Sequence, residues 1–448
     1  MVLGTYRKRL LLTFAFTGAA ATTAFIFVWP QIYLMGSVLV VVAVVCLGCT
    51  FVLLNSFLPL LAARHPHAKV LAEEALDQRN KTFGNSDATS SELKLSTQIS
   101  SKGVGLGYAA AVSVQILSIL LLVLLKRFNF ASESTPLRLV LFLVGICWTA
   151  LTFPGALWLR GRPGPPLRVV QRWRSRLPAF VQYIRFAWSS VWTTVKTAAK
   201  LRQTCIFLVA WFLLSDSVAT VSGTAILFAR TELHMGTIAV ALLSITVTAS
   251  GIAGAFFWPK ISRRYELETK QTIIGCVLLM EAIPIYGLLG FVPFIQAWGV
   301  GGLQQPWEIY PLGVVFGFVM GGLSSYCRSF YGEIIPPGSE AAFYALYAVT
   351  DKGSSAVGPA IVGAIVDRTG TIRPAFAFLA VLTLLPAPLI WLVDVRKGRQ
   401  EAVALSKHLG FVPGGSIALE ERDLDDDDED GGVGEGLLGQ GGRGRRQD

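Results

Sequence analysis

The chain has 448 residues, 53% of them hydrophobic and 15% charged, with a formal net charge of +10. A soluble domain carries roughly a quarter charged residues, so the composition excludes an ordinary soluble enzyme and points to a membrane. The excess of cations does not mark a nucleic-acid binder, because it is spread through the connections between apolar stretches.

A hydrocarbon core about 30 Å thick needs roughly 20 apolar residues in a helix. The qualifying stretches, in order, are Leu10–Trp29, Tyr33–Leu61, Val104–Leu125, Leu139–Leu159, Cys205–Ala229, Thr237–Trp258, Thr272–Phe294, Pro311–Tyr331, Ala341–Val366 and Pro374–Val395. Within lipid the backbone must satisfy its own hydrogen bonds, so each is expected to be helical. Cations crowd alternate connections: Arg7 to Arg9, Arg64 to Lys102, Arg160 to Arg202, Lys260 to Lys270, and Arg396 to Arg399. The intervening connections hold only Lys126 and Arg127, Arg230, Arg368 and Arg373. The positive-inside rule therefore places the N-terminus, both long loops and the C-terminus in the cytosol.

Two polar regions are expected outside the membrane. The loop over 63–102 carries a short helical pattern near Val70–Leu76 and then a Ser/Thr/Asn-rich, half-disordered stretch. Residues 397–448 form a tail whose Asp425–Asp430 run and Gly-rich end are too polar to fold alone. The linker over 160–202 interleaves cations with Trp173, Phe180, Tyr183, Phe186, Trp188 and Trp192. Beside membrane helices that pattern predicts an amphipathic helix on the inner leaflet, aromatics at headgroup depth and cations on anionic lipid.

Four spans before this linker (residues 1–159) and six after it (203–396) fit secondary transporters built from two six-helix halves. The basic turn Pro259–Tyr265 joins the second and third spans of the later half, and Gly4–Arg9 resembles it. Aligning the two turns makes Leu10–Trp29 a third helix, so ten of twelve helices are expected here. The fold class is an all-α polytopic membrane protein with a two-bundle, major-facilitator-like architecture.

No metal site, cofactor or enzymatic centre is expected. The cysteines lie inside apolar stretches, and Cys46 and Cys49 read as a small-residue packing face. His65 and His67 make no metal set. Gly103–Gly107 opens a span with no strand before it, so a nucleotide loop is not expected. Gly313, Gly317 and Gly321 recur every fourth residue and predict a close helix crossing.

Ionisable groups at membrane depth are costly and mark candidate function. Asp216 lies mid-span among Ser215, Ser217 and Thr220, and Glu281 lies mid-span before Pro284. Arg328 and Glu333, and Asp351 and Lys352, read equally as ion pairs that lock helices or as part of a solute pathway. The candidates are therefore Asp216, Ser215, Thr220, Glu281, Arg328, Glu333, Asp351 and Lys352. Small solute cargo, a bilayer and no nucleic acid are the expected partners.

Two stretches, Thr193–Asp216 (TTVKTAAKLRQTCIFLVAWFLLSD) and Arg328–Pro359 (RSFYGEIIPPGSEAAFYALYAVTDKGSSAVGP), are distinctive. Both resemble the autophagy-related protein 22 family, fungal vacuolar amino-acid effluxers of the major facilitator superfamily. Asn55–Leu61 and the entry into Gly103–Ala111 are also similar to the family. The resemblance implies a multi-pass vacuole-membrane protein that returns leucine and other neutral amino acids to the cytosol after autophagic breakdown, with protons as a candidate coupling ion. Two other readings stay open: a transporter of another small solute, and a truncated membrane protein that does not transport.

Overall fold

The computed structural model describes residues 6–63, 87–127, 135–159 and 179–408. Expectations for the patterned stretch near Val70–Leu76, the first part of the linker and the acidic tail lie outside them. Every described element is helical. In the first half α1 spans Tyr6–Thr23, α2 Tyr33–Ser56, α3 Leu58–Ala63, α4 Asp87–Arg127 and α5 Thr135–Trp158. The linker supplies α6, Ala179–Lys200. In the second half α7 spans Arg202–Thr231, α8 Thr237–Arg264, α9 Thr269–Leu289, α10 Pro293–Trp298 and α11 Ile309–Glu333. It continues with α12 Glu340–Ser354, α13 Val357–Thr369, α14 Ala375–Leu384, α15 Pro386–Leu392 and α16 Val395–His408. Among the described residues nine helical stretches are long and apolar enough to cross a membrane.

Three expectations need correction. The ninth apolar stretch, Ala341–Val366, is not one helix but two, α12 and α13, parted at Ser355 and Ala356. Pro359 explains the break. Its ring lacks an N–H and clashes with the carbonyl four residues earlier, so it is tolerated only in a first helical turn. Residues 87–102 belong to α4, so Gly103 lies inside a helix and does not open one. That polar extension stays helical because Leu93, Ser96, Thr97, Ser100 and Ser101 are buried against the bundle. Residues 395–408 are likewise ordered as α16, whose Ala402 and Ser406 are buried.

The tightest crossing is α8 on α11. A Cβ on Gly317 would meet the Val247 carbonyl, one on Gly321 the Gly251 carbonyl, and one on Gly254 the Phe318 carbonyl. The two backbones therefore touch directly, as the glycine spacing predicted. Trp258 Nε1 donates to the Phe318 carbonyl at 3.1 Å and pins the same crossing. In the first half Gly18 of α1 packs on Cys46 of α2, in keeping with a packing role for that cysteine.

Among the described residues, helices before and after the linker meet along two seams. Tyr108 of α4 lies on Gly251 of α8, and Gln115 of α4 donates to Ser244 (3.3 Å) and Thr248 (3.2 Å) of α8. The second seam joins the ends of α2 and α3 to α12 and α11, on the side of the basic loops.

Candidate functional site

Four helices bring polar groups together at mid-depth of the second half. Asp216 sits halfway along the 30-residue α7 and is 2% exposed. Its Oδ1 accepts a hydrogen bond from the Gly358 amide at 3.0 Å. Gly358 occupies the first turn of α13, where helical amides lack intrahelical partners and the helix dipole is positive. The restart of the broken helix thus supplies the partner that the sequence around Asp216 lacks. Thr220 Oγ1 donates to the Asp216 carbonyl at 2.6 Å. A Cβ on Gly358 would run into Thr220 Oγ1, so only glycine allows this approach.

The other side of the break is equally polar. Ser215 donates to both the Asp351 carbonyl and its carboxylate Oδ1. Ser354 and Ser355 add hydrogen bonds to the same carbonyl at 2.9 and 3.1 Å. Three hydroxyls therefore serve one carbonyl that a continuous helix would have satisfied. Asp351 and Lys352, for which an ion pair and a place in a solute pathway were both open, lie 3.0 Å apart as an ion pair, with the lysine side chain 78% exposed. Ser217 and Thr383, on α7 and α14, share a hydrogen bond of 2.8 Å on a further face.

On the side of the basic loops, aromatic rings stand between this cluster and the helix ends. Trp211 stacks on Tyr347 (4.5 Å), Tyr347 packs on Tyr331 (5.1 Å), and Phe207 stacks on Phe330 (5.1 Å). Towards the opposite membrane face, α7, α8, α9, α11 and α14 enclose an apolar cavity of about 150 Å³ lined by Val221, Ala225, Phe228, Ile283 and Phe376 among others. Val221 lies about 140° around α7 from Asp216 at roughly 100° per residue, so this cavity is separate from the polar cluster.

Not every candidate joins the cluster. Glu281 is buried midway along α9, and its Oε2 has no hydrogen-bond partner among the described residues. Of the two readings open for Arg328 and Glu333, a mutual ion pair is not present among the described residues. Glu333 pairs with Arg399 of α16 at 3.1 Å, and Arg328 lies over the Phe51 ring of α2 at 5.1 Å. Five residues along a helix put the two side chains about 140° apart, so each finds a partner on another element. The Tyr344 hydroxyl donates to the Arg328 carbonyl within the later helices, and Pro59 of α3 packs near Gly332 across the second seam.

Besides Thr383 on α14, four contributors escaped the sequence reading. Gly358, Ser354 and Ser355 take part only because the helix breaks, and the motif preceding Pro359 carried that signal. Glu308 is the fourth: 1% exposed, it accepts from the Tyr286 hydroxyl and from the amides of Gly301, Leu303, Gln304 and Gln305. It ties down the loop before α11.

These features define a multi-pass, all-helical membrane protein with a polar cluster buried at a helix break. Residues 3–403 match the family described as "Vacuole effluxer Atg22 like". The chain is 55% identical to autophagy-related protein 22 of Botryotinia fuckeliana over 97% of its own length and 76% of that relative. It is equally similar to autophagy-related protein 22-1 of Sclerotinia sclerotiorum, over the same shares, and 52% identical to protein 22-2 of Emericella nidulans, over 90% and 74%. It therefore belongs to the Atg22 family of vacuole effluxers. A bacterial homologue of the iron transporter ferroportin, in an outward-facing state, aligns over 87% of this chain and 99% of its own. With a TM-score of 0.35 and 14% identity, that likeness carries no argument about fold or cargo.

Proposed function

We propose that this chain is a secondary transporter of the vacuole membrane that exports leucine and other neutral amino acids to the cytosol. We read it as a major-facilitator-like, two-bundle protein whose halves are 1–159 and 203–396. The observation that carries the reading is the α12–α13 break, with Asp216 and Asp351 on its two sides. Discontinuous helices at mid-membrane present backbone dipoles and polar side chains to small charged solutes. A zwitterion exchanges well with an existing ion pair: its ammonium replaces Lys352 on Asp351, and its carboxylate meets Lys352. The aromatic layer beneath the cluster closes the route on the side of the basic loops. Glu281, buried and with its Oε2 lacking a hydrogen-bond partner among the described residues, is the candidate for a coupling proton, since ionisable groups at that depth serve as relays.

The test is release of radiolabelled leucine from isolated vacuoles carrying the wild-type chain or Asp351→Asn/Lys352→Gln. Faster release with the wild type, lost in the variant and competed by unlabelled neutral amino acids, supports the proposal. Wild-type release no faster than from vacuoles lacking the chain refutes it.

A further inference from the structure

The linker helix α6 divides into three stripes. Ser190, Thr194, Thr197 and Ala198 turn towards α7 and α12, and Ala198 is 4% exposed. At about 100° per residue, Ile184, Val191, Val195, Trp188 and Trp192 fall on the adjoining stripe. All five are exposed, Trp188 to 77% and Trp192 to 61%. The next stripe bears Lys196 and Lys200, with Lys196 lying over the Trp192 ring at 5.6 Å. The 22 residues contain no acidic side chain.

We infer that α6 lies in the membrane surface as a docking element for anionic lipid of the leaflet that faces the basic loops. A helix pointing into water would not keep two tryptophans and three aliphatic side chains exposed on one stripe. That stripe adjoins the docked face, so it continues the lipid-facing surface of the bundle. Indole rings belong at headgroup depth, and cations beside them meet lipid phosphates and carboxylates. The Lys196–Trp192 contact holds the charge at the rim of the apolar stripe, where a headgroup sits. A phosphatidylserine-like lipid fits both halves of this surface; a second copy of the chain would bring the same cations against each other.

The full chain is reconstituted in nanodiscs containing brominated phosphatidylcholine or, at equal mole fraction, brominated phosphatidylserine. Tryptophan emission is compared between wild type and Trp188→Phe/Trp192→Phe, which keeps the apolar stripe and so the fold. The difference isolates the two rings. It should be quenched by both lipids, at least twofold more by the anionic one, and Lys196→Gln/Lys200→Gln should abolish that preference while retaining quenching. Equal quenching by the two lipids in the wild type overturns the anionic selectivity. No quenching by either overturns lipid docking altogether. A particle containing two chains that becomes single in Trp188→Glu/Trp192→Glu overturns it in favour of a second copy.

Discussion

The Asp216 carboxylate and the Gly358 amide, 3.0 Å apart, join the middle of α7 to the restart of a broken helix. The contact satisfies a donor that the break would otherwise leave bare, and it places an acidic group against the positive end of α13. Asn at 216 keeps the acceptor and removes the charge. Asp216→Asn should therefore fold and reach its membrane normally while leucine release falls severalfold. Asp216→Leu removes the acceptor as well and should lower stability by about 1–3 kcal/mol, the cost of a buried unpaired group. Thermal melting of the purified proteins separates the two effects; wild-type transport by Asp216→Asn would remove this carboxylate from the mechanism.

Gly358→Ala drives a methyl into Thr220 Oγ1. Overpacking of this kind costs about 1–3 kcal/mol, so the variant should melt several degrees lower. Adding Thr220→Ala removes the offending oxygen and should recover a large part of the loss. An additive double variant would mean that the two residues do not meet.

Neighbouring positions on α7 should differ in kind. Ser215→Ala deletes the hydroxyl held by Asp351, and Thr220→Val deletes the one held by the Asp216 carbonyl. Both should slow leucine release with a modest loss of stability. Trp211→Phe keeps a ring against Tyr347, and the indole nitrogen it removes has no hydrogen-bond partner among the described residues. Its transport rate should stay near that of the wild type. A reversed order of severity would relocate the solute path to the aromatic layer.

The glycine ridge should show a gradient. Gly313 faces the ends of the Leu243 and Val247 side chains, which can move, whereas Gly317 and Gly321 face backbone, which cannot. Gly313→Ala should be tolerated within about 1 kcal/mol, but Gly317→Ala should cost about 1–3 kcal/mol. Detergent-solubilised yield and melting temperature read both.

Glu333 and Arg399 offer a charge-swap test. Their side chains are 12% and 35% exposed, so water screens the pair only in part. Either single reversal should lower stability by about 1 kcal/mol, and Glu333→Arg/Arg399→Glu should regain a measurable share. Single and double variants that melt together would show that α16 is held by its apolar face alone.

Most of the architecture was legible because lipid imposes length and apolarity on each span, and the α8–α11 crossing because the glycine spacing is explicit. Asp216 stood out because a mid-span carboxylate is costly wherever it finds a partner. That partner was hidden: a backbone amide carries no side-chain signal, and it becomes available only where Ser355 and Ala356 leave the helix. The whole apolar stretch 341–366 reads as continuous by hydropathy, although Pro359 marks the interruption. Arg328 and Glu333 are close in sequence, yet helix geometry points them apart, and the true partner of Glu333 comes from a segment whose polarity resembled a free tail. Ordering of residues 87–102 was masked in the same way, since small polar residues bury well against a bundle without raising hydropathy.

Where α8 and α11 touch backbone to backbone, no layer of side chains remains to shear. The two helices form a single panel, held backbone to backbone at Gly254, Gly317 and Gly321. The nearest interruption is the gap between α12 and α13, where Asp216 holds Gly358. Under the proposed function, the carboxylate that meets a solute is fastened to that interruption and not to the panel.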